Sequence, residues 1–282
     1  IVDVDGAVNF AADVTYADGA DIITASAGTS NTRVGVNAGN SIASGGNYNV
    51  VVGDEAGTAL TTGDDNVAVG YGALATEDEQ GRNVAIGRSA LNVLNAGGQG
   101  YNVAVGYTAG AAVTTGTRNT FIGALAGVTT NTGSNNVAVG LQALYANTTA
   151  DNNTALGYLA LTANTTGDQN TAIGQTSMDA NTTGRNNTAI GMTSLGANTT
   201  GDSNAAMGVN ALASNTTSDN NTAIGTSALY ANTTAADNTA VGAYALDANT
   251  TGASNTSVGS GSLTANTTGT LNVAMGVNAL AA

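Results

Sequence analysis

The chain has 282 residues, a formal net charge of −14 from five Arg, no Lys and nineteen Asp plus Glu, and no Cys, His, Pro or Trp. These absences exclude disulfides, thiolate metal sites, a histidine general base, a Ser–His triad and Schiff-base lysine chemistry. The acidic balance without a basic run argues against nucleic acid and anionic membranes as partners, and no apolar stretch is long enough for a membrane-spanning helix.

Residues 1–30 begin IVDVDGAVNFAADVTYADGADIITASAG, with apolar and polar residues alternating around Gly6 and Gly19. That alternation predicts short strands and turns, a β cap or connector at the N-terminus. From residue 31 one unit takes over. The Gly that closes each AIG or AVG falls at Gly35, Gly53, Gly70, Gly87 and Gly106, then every seventeen residues to Gly276. Four residues before each stands Asn, from Asn31 to Asn272, in all fifteen units. After Gly276 only VNALAA follows, so residues 31–282 read as a repeat domain cut in mid-unit, part of a longer polypeptide.

The later units share N-T-A-I-G-x-x-A-L-x-A-N-T-T-G-x-x, numbered here as coil positions 1 to 17. Seventeen residues are too few for a helix pair, and recurrent Gly, Asn and Thr favour strands and turns. TAI or VAV at positions 2–4 predicts a three-residue strand, and ALxA at positions 8–11 a second straight side. The chain is therefore expected to be an all-β parallel β-solenoid, or β-roll, of about fifteen coils. At about 4.7–4.9 Å per coil the rod would be on the order of 70 Å long.

The Gly column (Gly157, Gly174, Gly191) and the Asn column (Asn153, Asn170, Asn187) are assigned structural roles: positive φ or close approach for Gly, local hydrogen bonds and amide ladders for Asn. The Leu column (Leu161, Leu195, with Met178 substituting) and the Ile/Val column (Ile173, Ile190) are assigned to the core. A coil this small has little interior, so one column is expected to fill it while the other packs against neighbouring chains.

Candidate chemistry is sparse. Asp64, Asp151, Asp168, Arg185, Asp202 and Asp219 share position 16, which stacks Arg185 between Asp168 and Asp202. Asp151, Asp168, Asp202 and Asp219 are the candidate calcium ligands, although a good site takes six to eight oxygens. The acids Asp54–Glu55, Asp64–Asp65 and Glu77–Asp78–Glu79 raise glycosidase chemistry, but they sit on variable corners without an apolar pocket, so no enzyme activity and no cofactor are expected. NTT recurs at Asn147, Asn164, Asn181, Asn198, Asn215, Asn232, Asn249 and Asn266, formally glycosylation sequons that a repeated corner also explains. Aligned Thr pairs raise an ice-binding solenoid, and Tyr71, Tyr107, Tyr158, Tyr145 and Tyr230 are candidates for stacking on surface sugars.

The pentapeptides NTAIG, NVAVG and NVAIG, recurring across residues 31–276, resemble the repeats of trimeric autotransporter adhesin heads (YadA-like heads), which also occur in bacteriophage tail fibres. The resemblance implies parallel β-rolls packed as a homotrimer. The unit here is longer than the head repeat, and Thr replaces Val at position 2 in most later units. The expected function is a structural and adhesive segment of an extracellular fibre, a phage tail fibre or adhesin head or shaft. Its expected partners are copies of itself and a host-surface glycan or protein. The alternatives are a subunit of a polymerising extracellular filament and an ice-binding solenoid.

Overall fold

A computed structural model describes residues 27–79 and 81–281. The N-terminal cap predicted over residues 1–30 lies almost wholly outside the described residues. Each Asn-initiated unit contributes one three-residue strand, from β1 (Thr32–Val34) to β15 (Val273–Met275). The fifteen strands form a single sheet in chain order. Every neighbouring pair is parallel and in register, so Thr171 lies against Thr188 and Ile173 against Ile190. The chain is an all-β parallel solenoid with no helix among the described residues.

One predicted side is different. Positions 8–11 are not a second strand, because positions 7 and 9 both take left-handed φ, as at Thr193 (56°) and Leu195 (52°). Position 17 is left-handed too, as at Asn186 (57°), and the position-5 glycines have φ between 123° and 143°. Three left-handed residues and one Gly per unit turn seventeen residues into a closed loop. The second side still bonds along the axis, for example Leu195 N–H to Ala211 O at 3.0 Å. The position-5 Gly is required twice over: a Cβ on Gly174 would lie 2.5 Å from the Gly191 carbonyl oxygen in the next coil.

The core is the Ala at position 3 facing the Ala or Ser at position 8 and the Leu at position 9. Leu144, Leu161, Leu195, Leu212, Leu229 and Leu246 are wholly buried, and so is Met178. A branched L-residue at positive φ costs on the order of 1–2 kcal/mol, whereas burying its side chain contributes roughly 1.5–3 kcal/mol, so burial holds the Leu column in its unusual backbone.

Of the two apolar columns expected to divide between interior and exterior, the Ile/Val column is the outer one, not core. Position 4 points outward: Ile173 and Ile190 are only half-buried, and Ile224 is 39% exposed. In a three-residue strand only the middle residue faces in, and the loop leaves room there for Ala.

Core volume is conserved while its source moves. Gly39 and Gly57 replace Leu at position 9, and Ile42 and Leu60 at position 12 swing into the vacated space; a Cβ on Gly57 would meet Leu60 Cδ1 at 2.8 Å. Phe121, in the middle of β6 (Thr120–Ile122), fills the interior between Gly110 and Gly127, whose added Cβ atoms would meet its ring at 2.8 and 2.5 Å. From coil 7 onward position 9 is Leu or Met and position 12 is Asn.

Replacing Phe121 by Ala should therefore cost about 3–5 kcal/mol, read as a fall in the denaturation midpoint. Adding Gly110→Leu and Gly127→Leu should recover most of that loss. Either Leu substitution alone, made against the intact Phe121 ring, should destabilise.

Candidate functional site

The polar groups of the coil are organised as ladders along the rod axis. The position-1 Asn side chains are buried from Asn31 through Asn255. In all fourteen steps the Asn backbone N–H donates to Oδ1 of the Asn one coil earlier, at 2.8–3.0 Å. Asn187 shows the full pattern. Its N–H donates to Asn170 Oδ1 at 3.0 Å, its Oδ1 accepts from Asn204 N–H at 2.9 Å, and its carbonyl accepts from Thr171 N–H at 2.8 Å. Its Nδ2 donates across the coil to Gly201 O at 2.8 Å.

A second ladder runs through the NTT segments. Nδ2 of each Asn from Asn164 to Asn266 donates to Oδ1 of the preceding one at 2.8–3.2 Å. The same Nδ2 reaches the position-15 carbonyl three residues on, so Gly201 O accepts from both Asn187 and Asn198. Asn147 through Asn249 are fully buried, so a glycan on Nδ2 would break the ladder rather than decorate a corner. The first Thr of each pair is spent as well: its Oγ1 donates to the corresponding Thr carbonyl one coil later at 2.9–3.2 Å, from Thr148 to Thr250. Only the second Thr presents a free hydroxyl.

The acidic column is structural in the same way. The N–H of Ser134 donates to Asp151, Asp151 to Asp168, Arg185 to Asp202 and Asp202 to Asp219, each at 2.6–2.9 Å to Oδ1. Each candidate calcium carboxylate thus spends one oxygen on a neighbouring coil, and no group of three or more acidic side chains comes together among the described residues. Arg185 lies in register between Asp168 and Asp202, but its guanidinium pairs with neither; the ion pair among the described residues is Arg82–Asp65 at 3.5 Å.

The N-terminal acids disperse likewise. Asp64 accepts from Asn47 N–H at 2.7 Å, Glu55 from Asn37 Nδ2 at 2.9 Å, and Glu77 is buried in the position-12 column between Leu60 and Leu94. Asp179 and Asp247, on the outer wall at position 10, have carboxyl groups raised above their ordinary range by partial burial.

What remains for recognition is the outer surface of the sheet. Position 4 carries Ile86, Ile122, Leu156, Met207 and Ile224 at 38–45% exposure, and position 6 carries Tyr71, Tyr107, Leu141, Tyr158 and Met192 at 46–53%. Position 2 adds Thr154, Thr171, Thr188, Thr222, Thr239 and Thr256, whose hydroxyls bond to nothing else in the described chain. Of the sugar-stacking candidates, Tyr71, Tyr107 and Tyr158 lie on this rim, while Tyr145 and Tyr230 stand on the opposite wall at position 10. Ladders, core and outward sheet define a parallel β-solenoid of amide-ladder type. Comparison with family models, with curated proteins and with solved structures returned no match.

Two predictions follow from the ladders. Asn187→Ala removes two buried hydrogen-bonding atoms, Oδ1 and Nδ2, and strands the Asn204 N–H, and should cost about 2–4 kcal/mol in chemical denaturation. For Asp179, a raised folded pKa means its contribution is fully present below the ordinary carboxylate range and is lost as pH rises through the raised value. Asp179→Asn should therefore raise the melting temperature at pH 7 and leave it unchanged near pH 3.

Proposed function

We propose that the chain is the rod segment of an extracellular fibre: a structural spacer, assembled as a homotrimer, that holds an adhesive end away from the particle or cell bearing it. The observation that carries this reading is the in-register stack of identical coils, in which core, ladders and sheet repeat together. Length is added by copying a unit, with no new core to design.

The homotrimer is supported by the outward Ile, Val, Leu and Met of position 4. They form one continuous, partly exposed apolar column along the sheet, the kind of surface that marks an interaction site. The resemblance of the NTAIG pentapeptide to adhesin-head and tail-fibre repeats supports the same assembly and an extracellular place for it.

A second reading is favoured by one observation, the position-2 Thr column. From Thr154 to Thr256 its unpartnered hydroxyls repeat once per coil along the sheet, interrupted only at Ala205, as an ice-binding face would require.

Native mass by light scattering tests these readings. The fibre reading expects three chains per particle. It further expects Ile173→Glu, Ile190→Glu and Ile224→Glu, combined, to give a folded single chain, because these side chains face outward. A wild-type monomer with thermal hysteresis would replace the fibre reading by ice binding, and a mass rising with concentration would replace it by an end-to-end filament.

A further inference from the structure

Position 17 is left-handed in every coil, with φ between 52° and 65°. Coils 6 to 13 fill it with Asn135, Asn152, Gln169, Asn186, Ser203, Asn220, Asp237 and Ser254, mostly short polar residues that tolerate this conformation, and coil 14 with Leu271, which is 78% exposed. Coils 1 to 5 fill it with Tyr48, Asp65, Arg82, Tyr101 and Arg118. Bulky side chains at positive φ are strained, and the Leu column shows what compensates such strain elsewhere, namely full burial. Here there is none: Tyr48 is 61% exposed, Tyr101 44%, and both partners of the Arg82–Asp65 pair stand about half in solvent. A local rule broken with no return in packing points away from stability and toward recognition.

The five side chains form one ridge parallel to the rod axis. Arg82 Nη1 donates to the Tyr101 hydroxyl at 2.9 Å, its guanidinium lies 5.7 Å from the centre of that ring, and Asp65 holds it from the other side. Three coil steps separate Tyr48 from Tyr101, about 14 Å. Two exposed tyrosines, Tyr48 and Tyr101, the latter with the Arg82 guanidinium over one face of its ring, thus flank a planar acceptor–donor pair whose charges cancel, and Arg118 adds a further set of donors. Aromatic faces offer stacking area at low entropy cost, while the Asp–Arg pair offers hydrogen bonds of both kinds. The chain as a whole, at −14, repels polyanions.

We propose that this ridge binds an extended neutral polysaccharide lying along the rod, its sugar faces on Tyr48 and Tyr101 and its hydroxyls on Asp65 and Arg82. The inference adds a ligand to the spacer reading and is separable from it: a trimer that binds no saccharide keeps the first and loses the second.

The probes are cellohexaose, maltohexaose and mannohexaose, with oligogalacturonate and a polyproline peptide as competitors in kind, followed by calorimetry and by tyrosine emission, which no Trp obscures. At least one neutral hexasaccharide is expected to bind. Tyr48→Asn with Tyr101→Asn should weaken it about tenfold or more while the melting temperature stays equal or rises, since Asn suits the backbone better. Tyr244→Asn, at a position that is equally left-handed and 52% exposed but outside the ridge, should leave binding unchanged. Binding to none of the neutral probes, preference for the acidic or the proline-rich one, or undiminished binding by the double variant would each overturn the proposal.

Discussion

The structure depends on a buried side-chain amide being passed from coil to coil. A loop of seventeen residues with one three-residue strand leaves much of its backbone without strand partners, and unpaired polar groups inside would cost more than its small core returns. The position-1 Asn resolves this. One side chain accepts from the coil above, bonds across its own coil and fixes the turn before the strand, while its backbone feeds the sheet. Because each Asn needs another at the same height in the next coil, the ladder enforces register. Units of eighteen and nineteen residues are absorbed at the corner between positions 13 and 16, where Gly97 and Gly98 face open space, without moving a single Asn out of line.

Around that fixed frame the core is free to vary. Interior volume comes from position 9 in most coils, from position 12 in the first two, and from Phe121 where Gly110 and Gly127 leave space. From coil 7 onward, Asn at position 12, where earlier coils carry Ile42, Leu60, Glu77, Leu94, Val113 and Thr130, adds a second amide ladder. Both solutions close the same loop, one by transfer of apolar surface and the other by hydrogen bonding within a dry interior. The half-exposed surface is equally divided: Val with Tyr and Arg rims in the early coils, Thr with Ile in the later ones.

Much of this was legible in the sequence because a period is legible. The spacing of Gly35 through Gly276 gives the coil, its parallel stacking and its number, and the fixed Asn marks a position with a repeated backbone demand. Three features were hidden, each for a physical reason. Hydrophobicity suggests that Ile173 belongs inside and Ala172 outside, but a narrow coil admits the small residue and excludes the large one. NTT looks like a solvated turn, yet Asn198 is buried because its partners lie seventeen residues away, at a distance that local reading does not reach. Left-handed Leu195 runs against every local preference and makes sense only once its burial is known. The ridge was missed for the same reason: Tyr48 and Arg118 look like ordinary surface residues until their backbone is seen.

The two amide ladders share one direction. Every Oδ1 faces the following coil and every donor faces the preceding one, whereas the sheet's backbone bonds alternate and cancel. The dipoles of these two ladders add along the axis, against the oppositely directed Thr hydroxyls and Asp carboxylates, so the rod has a built-in direction. Any such stack ends in carbonyl acceptors at one face and N–H donors at the other. Two rods can extend one another head to tail, but two like ends meet acceptor against acceptor or donor against donor. A structure built by repetition, in which every unit is equivalent, thus still carries a sense of direction that anything growing from its end, or docking there, must match.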